Sequence, residues 1–207
     1  MDSKIEIPSE APVMVLPGAV LFPDGILPLR IFEPRYRAML EYALDHDRMF
    51  CVALMKPGIT EAMTEDQFFH TAGIGLISAS VTQADGTSNL MLQGLARVRL
   101  AGFVQLSPFR IARVRPLSPV TNDLQETAAL AQDLREQCSN IRINGSPLPD
   151  SFCEMLDRTT ETDVLANAVA HALIADSFER QDILEEEDAA ARLRMIAGLL
   201  RRQFPGT

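Results

Sequence analysis

Three cysteines and three histidines are the residues in this chain best suited to nucleophilic or metal chemistry. Cys51 and His70 would form a thiolate–imidazole pair if the fold joined them. Cys51, however, sits inside the apolar run Met49–Met55, a setting for a buried, inert thiol. His46 lies between Asp45 and Asp47 in a polar turn. His171 falls one position off the apolar stripe of a helix, and neither histidine has a second ligand at metal spacing. Glu33, between Phe32 and Pro34, is the carboxylate in the most apolar sequence, where desolvation would raise its pKa for acid–base work. Its place just before a proline suits an acceptor at a helix entrance instead. No glycine is followed by lysine, so there is no phosphate-cradling loop of the Gly-Lys type. Gly73-Ile74-Gly75 lacks the third glycine of a dinucleotide fingerprint, and Cys-x-x-Cys and His-Glu-x-x-His are absent. The residues therefore nominate no catalytic group, no cofactor site and no metal site.

Binding chemistry is better represented. Arg97, Arg99, Arg110, Arg113 and Arg115 are the basic cluster of the chain. On paired strands they would offer a positive patch to RNA phosphates. Only Phe103 and Phe109 lie near them for base stacking, and a net charge of −9 argues against nucleic acid. A solvated sheet face is the competing reading. The stretch Lys56–Phe69 sets Pro57, Met63, Phe68 and Phe69 in a polar run, as a mobile contact loop would. These four are the sequence's candidates for gripping an apolar segment of a partner protein. Nine methionines add adaptable apolar surface.

The elements that must position these residues fall into two parts. Val13–Leu16, Ile26–Phe32 and Met49–Met55 read as strands, the second an edge strand because of Pro28. The nearly all-apolar third suits burial on both faces. Asp85-Gly86 joins Gly73–Thr82 to Asn89–Leu100 as a hairpin, and Phe103–Val114 reads as a further strand pair broken near Pro108. One helix interrupts them: after Pro34, Tyr36, Met39, Leu40, Ala43 and Leu44 recur at helical spacing. Beyond a Pro-containing joint at Leu117–Thr121 the pattern turns helical. Asn122 with Gln125, and Ser151 with Glu154, have capping-box spacing, and 144–149 reads as a turn-rich break. Val164, Leu165, Ala168, Val169, Ala172 and Leu173 make an apolar stripe after Thr162, and a last helix covers roughly Asp188–Gln203.

Charge divides in the same place. Residues 1–118 carry eleven basic and twelve acidic side chains; residues 119–207 carry eight and sixteen. The expected class is α+β: a β-rich subdomain over 10–118 with one inserted helix, then a helical bundle over 119–204. A chain of 207 residues can bury a core without disulfides or metals. No run approaches the ~18 apolar residues of a membrane span. The polar N-terminus lacks a signal-peptide core, and three widely spaced cysteines suit a reducing compartment, so the cytoplasm is expected.

Leu16-Pro17-Gly18-Ala19-Val20-Leu21-Phe22-Pro23, followed by Leu27-Pro28-Leu29-Arg30-Ile31-Phe32-Glu33-Pro34-Arg35-Tyr36-Arg37, resembles the opening of the Lon protease N-terminal domain. Asp47–Phe50, Gly73–Ile77, Asp85-Gly86 and Leu92–Arg99 continue the resemblance through its strands. Asp163–Ala170, Gln181–Glu185 and Ala191–Leu193 resemble its helices. Lon continues into ATPase and serine–lysine protease modules. This sequence has no P-loop and no Ser–Lys dyad, so the resemblance is to free-standing members. It implies a PUA-like β-barrel subdomain, then helices, over 10–204. It also implies a non-catalytic module that binds unfolded client polypeptides or a folded protein partner. The motif residues Phe22, Pro23, Phe32, Glu33, Pro34, Arg35 and Tyr36 read as a rigid strand-to-helix corner, mainly structural.

Overall fold

The computed structural model describes residues 5–143 and 149–205, so the break expected over 144–149 lies almost wholly outside the described residues. The chain divides into two compact units, Met1–Leu117 and Ser118–Thr207.

The first unit holds β1 (Glu10–Leu16), β2 (Ile26–Ile31), α1 (Pro34–Asp45), β3 (Met49–Leu54), β4 (Thr71–Thr82), β5 (Ser88–Gln105) and β6 (Arg110–Leu117). The strand order is β2-β5-β4-β3-β1-β6, and β6 pairs again with β5. Five strands thus close into a barrel, while β2 stays outside as an edge. The long β5 makes this possible. Its residues 88–93 pair with β2, and its later residues 97–105 pair with β6. Register shifts at two places in each of the β4–β5 and β5–β6 ladders bend it between the two tasks. β1 and β3 run parallel, with β2 and α1 in the crossover between them.

Alternation along the strands separates two cores. Val13 and Val15 of β1, Cys51 and Ala53 of β3, and Val98 of β5 fill the barrel. The opposite parity, Met14, Phe50 and Val52, packs with Tyr36, Met39, Leu40 and Ala43 of α1. This two-sided burial explains why every residue of β3 is buried. Pro28 sits where a strand can lack a donor, on the edge strand β2. The segment Leu21–Gly25 crosses the β4–β5 hairpin so closely that a Cβ on Gly73 would strike the Leu21 carbonyl, and one on Gly94 the Phe22 carbonyl. Backbone hydrogen bonds fasten this crossing: Asp24 N–H to the Gly94 carbonyl at 3.0 Å, and Gly94 N–H to that of Gly25 at 2.8 Å.

The second unit holds α2 (Leu124–Ile143), α3 (Asp150–Arg158), α4 (Thr162–Leu173), α5 (Ser177–Glu185) and α6 (Ala189–Gln203). Its caps differ from the sequence expectation. Asp123, not Asn122, caps α2, accepting from the N–H groups of Gln125 and Glu126 at 2.8 and 3.0 Å. Asn122 donates instead to Asp188 at 2.7 Å, and Asp188 caps α6 through the Ala191 N–H. Ser151 lies inside α3, whose N-cap position is Pro149. In α4 the buried stripe is Leu165, Ala166, Val169, Ala170 and Leu173, rotated from the expected one by about a residue. Helix α5 ends in the Gln181–Glu185 segment and buries Gln181, Ile183 and Leu184. The buried Arg192 of α6 pairs with Asp163 of α4. Among the described residues no helix is long and apolar enough to cross a membrane.

Candidate functional site

The candidates for bond-making chemistry have structural roles. Cys51 is fully buried in the barrel, and that burial pushes its thiol well above the usual range. His70 directs Nε2 at the Glu65 carbonyl, 2.9 Å away, and stacks on Phe68. Burial, with Cys153 close by, pushes the Cys138 thiol up to about 12. Among the described residues no cluster of three His, Cys, Asp or Glu could hold a metal. Glu33 occupies the helix N-cap position without capping it. Its carboxylate is taken by Arg35, whose Nε donates to it at 2.8 Å.

The 56–69 loop exposes only part of the contact set the sequence suggested. Phe68 is fully buried and meets Phe103 edge-on at 5.8 Å inside the barrel core. It is removed from the contact set, because an apolar ring beside an open barrel end gains more by filling it than by facing water. Phe69 is half-buried beneath the Lys56 ammonium, 5.9 Å from its ring. Only Pro57 and Met63 of the four candidates face solvent, Met63 at 72% exposure. The loop is fastened by a capping box between Thr64 and Gln67. Arg110 fastens it again, donating to the Ala62 carbonyl at 2.6 Å and lying over Phe68.

The arginine set is dispersed. Arg110 serves the loop, Arg97 is buried at 2% exposure, and Arg113 faces Glu10 at 3.6 Å. Arg99 and Arg115 stand opposite each other on β5 and β6. A continuous positive patch of five would need all of them on one wet face. The bend in β5 and the loop's claim on Arg110 prevent that.

The motif residues divide. Phe22 is fully buried, and its carbonyl accepts the Gly25 N–H at 3.1 Å. Pro23 is half-buried. The Tyr36 hydroxyl donates to the Val15 carbonyl at 2.9 Å, tying α1 to β1. Arg35 lies over the Tyr36 ring at 4.7 Å and bridges Glu33 to Glu61. Pro34 opens α1 in an exposed position. Phe32 departs from the structural reading: it is 61% exposed and packs no core.

The surface best suited to binding is one the sequence reading did not name. Beyond the closed barrel, β2, the first half of β5 and the end of β4 form an open three-stranded sheet. One face packs on α1 through Ile31, Leu90, Leu92 and Ile77. The other is bare. The register aligns three rows across it: Ile26 with Gln93; Pro28 with Met91 and Ala79; Arg30 with Asn89 and Val81. Ile26 and Val81 are 52% and 60% exposed, and Met91 38%. The second and third rows line a shallow groove of about 510 Å³, within the range of ligand sites. Its signal was present in the strand parity. Met91 shares the wet side of β5 with Gln93, and Ile26 and Pro28 share the opposite side of β2 from Leu27 and Leu29.

Comparison with known proteins follows the same outline. The chain is 29% identical over 203 residues to the Lon protease of Trichlorobacter lovleyi, covering 98% of this chain and 25% of that protein. It is 30% identical over 210 residues to the Lon protease of Syntrophus aciditrophicus, covering 98% and 26%. The chain therefore spans about a quarter of the length of these relatives. Its fold matches the N-terminal domain of a Mycobacterium avium complex Lon protease with a TM-score of 0.74 at 16% identity, over 92% of this chain and 97% of that one. It also matches a Lon N-terminal domain protein from Xanthomonas campestris with a TM-score of 0.66 at 21% identity, over 92% and 98%. The model of the ATP-dependent protease La (LON) substrate-binding domain matches residues 10–202, and the chain belongs to that family.

Proposed function

We propose that the chain is a non-catalytic binding module that takes apolar segments of unfolded or partner polypeptides on the open face of β2, β5 and β4. The observation carrying this reading is the exposed apolar set Ile26, Pro28, Met91 and Val81 on one face of this sheet. Surface apolar residues are common singly, but a contiguous group beside a groove marks an interaction site. An extended polypeptide presents alternate side chains to such a face, matching its period of two. Burying one Leu or Phe there yields about 1.5–3 kcal/mol. Two or three such contacts suit weak, reversible capture once ordering costs are met. Membership of a substrate-binding family supports the polypeptide class, and the absence of a nominated active site in the sequence supports a non-catalytic role.

The test is a titration against a labelled, permanently unfolded protein and a labelled single-stranded RNA, at low and moderate salt. Salt-tolerant binding of the unfolded protein, lost in Met91→Asp, is the expected result. Salt-sensitive binding of RNA alone would overturn the reading and return attention to Arg99, Arg113 and Arg115.

A further inference from the structure

We propose that Arg30 sets the specificity of the open face, selecting extended segments in which two alternate apolar side chains are followed, at the next alternate position, by a carboxylate side chain. This inference rests on the polypeptide-binding reading above and adds the ligand's chemistry to it.

The geometry comes from β2. Ile26, Pro28 and Arg30 follow one another at every second residue and are all exposed on the same side of the strand. Neighbours of this kind are about 6.8 Å apart along a strand. An extended ligand running beside them repeats at the same interval. Side chains placed against Ile26 and Pro28 would be apolar, and the next in phase would meet a guanidinium. Arg30 joins Asn89 and Val81 in the last row of the groove, where the apolar lining gives way to polar groups.

Charge complementarity decides what that last position prefers. Among the described residues, Arg30 is in no ion pair within 4.0 Å. Its nearby acidic neighbour is Asp85 in the hairpin turn, which feels Arg30 only as a minor influence. The Asp85 carboxylate is engaged elsewhere: Oδ1 accepts from the Thr87 N–H at 2.9 Å and the Thr87 hydroxyl at 2.8 Å. Arg37 of α1 approaches the same turn at Gly86 and adds a second positive charge there. An apolar side chain against Arg30 would strip water from a guanidinium and return nothing. A carboxylate would restore hydrogen bonds in a fork that arginine presents in fixed geometry. A lysine on the ligand would be repelled.

The size of the effect follows from exposure. Ion pairs at exposed sites shift affinity by up to about fivefold and weaken with salt. The preference is therefore a modest selection laid over apolar capture, in keeping with a module that meets many sequences.

The experiment compares two short fluorescent peptides, alike in having Leu-x-Leu and differing only in Asp or Lys at the next alternate position. Affinities are read by anisotropy at low and moderate salt, with wild type, Arg30→Gln and Arg30→Glu. Circular dichroism confirms that each variant is folded. The proposal expects the Asp probe to bind wild type about fivefold more tightly than the Lys probe at low salt, no preference in Arg30→Gln, and the reverse preference in Arg30→Glu. Equal binding of both probes to wild type, still lost in Met91→Asp, would overturn the selectivity and leave the polypeptide-binding reading intact. Binding of neither probe by wild type, together with no capture of the unfolded protein, would overturn both.

Discussion

The open sheet face and the 56–69 loop hold similar residues and put them to opposite uses. Each combines methionine and proline with large apolar side chains in the first unit. In the loop, Phe68 is buried in the barrel core and Phe69 is half-buried, with Met63 left outside. On the open face Ile26, Val81 and Met91 remain in contact with water, although the sheet beneath them is hydrogen-bonded and packed on α1. Closing the barrel therefore consumes the loop's apolar groups. The strand that does not join the barrel keeps its own available. Surplus apolar area on a rigid, hydrogen-bonded platform is the better binding site, because little ordering is needed when a ligand arrives.

The largest expected effect tests the loop half of this comparison. Phe68→Ala removes a fully buried ring from the barrel core. It is expected to cost about 3–5 kcal/mol, read by urea denaturation. The affinity of the folded fraction for an unfolded protein should stay unchanged. Lost binding with undiminished stability would make Phe68 a contact residue after all and break the comparison.

Next comes Met91→Asp on the open face. Its 38% exposure and its place beside Pro28 and Ala79 put a carboxylate into the middle row of the open face. Affinity for the unfolded protein is expected to fall about tenfold, equivalent to 1.4 kcal/mol, while stability moves by less than about 1 kcal/mol. Unchanged affinity would move the site elsewhere. Met63→Ser is the matched control in the loop. Met63 is 72% exposed, yet its neighbourhood is polar and tied to Gln67 and Arg110. Its stability change should stay within about 0.5 kcal/mol, and its affinity change below about twofold. A larger loss than in Met91→Asp would reverse the ranking of the two regions.

Which parts of this were legible in the sequence follows from how local each signal is. The strands, the α1 helix and the hairpin turn at Asp85-Gly86 rest on period and turn chemistry within a few residues. They stand close to where the pattern put them, except that Phe103–Gln105 continues β5 instead of forming a strand of its own. The edge position of β2 was readable from Pro28 alone. The resemblance supplied the family, and residues 10–202 match it. The fate of Phe68 was not readable, because it depends on a gap that exists only once the barrel has closed. The dispersal of the arginines depends on where β5 bends, a property of pairing between distant strands. Asp123 displaced Asn122 as a cap by a single residue, within the reach of two side chains that both accept hydrogen bonds. The bare face lay between these cases. Its parity was in the sequence, but its exposure follows from the barrel closing without β2.

The smallest effect probes the cationic end of the open face. Asp85 has its carboxyl held below the usual carboxylate range, first by the N–H and hydroxyl of Thr87 and more weakly by Arg30. A depressed folded-state pKa means that its contribution to the turn is complete above the ordinary carboxylate pKa, about 3.9. The contribution is lost as pH falls through the lower folded value. Near neutral pH the group is therefore ionised and competes weakly for Arg30. Asp85→Asn keeps an oxygen for Thr87 and removes that charge. Affinity for the acidic probe should rise by less than about twofold at low salt and return to the wild-type value at high salt, because exposed charges are screened. The lysine probe should weaken by a similar factor, since the mutation leaves Arg30 and Arg37 without their local counter-charge. A fall in affinity for the acidic probe, in a variant whose hairpin is intact by amide exchange, would mean that Asp85 assists the ligand instead of competing with it. The anionic position would then have to be sought away from Arg30, and the face would keep only its apolar rows.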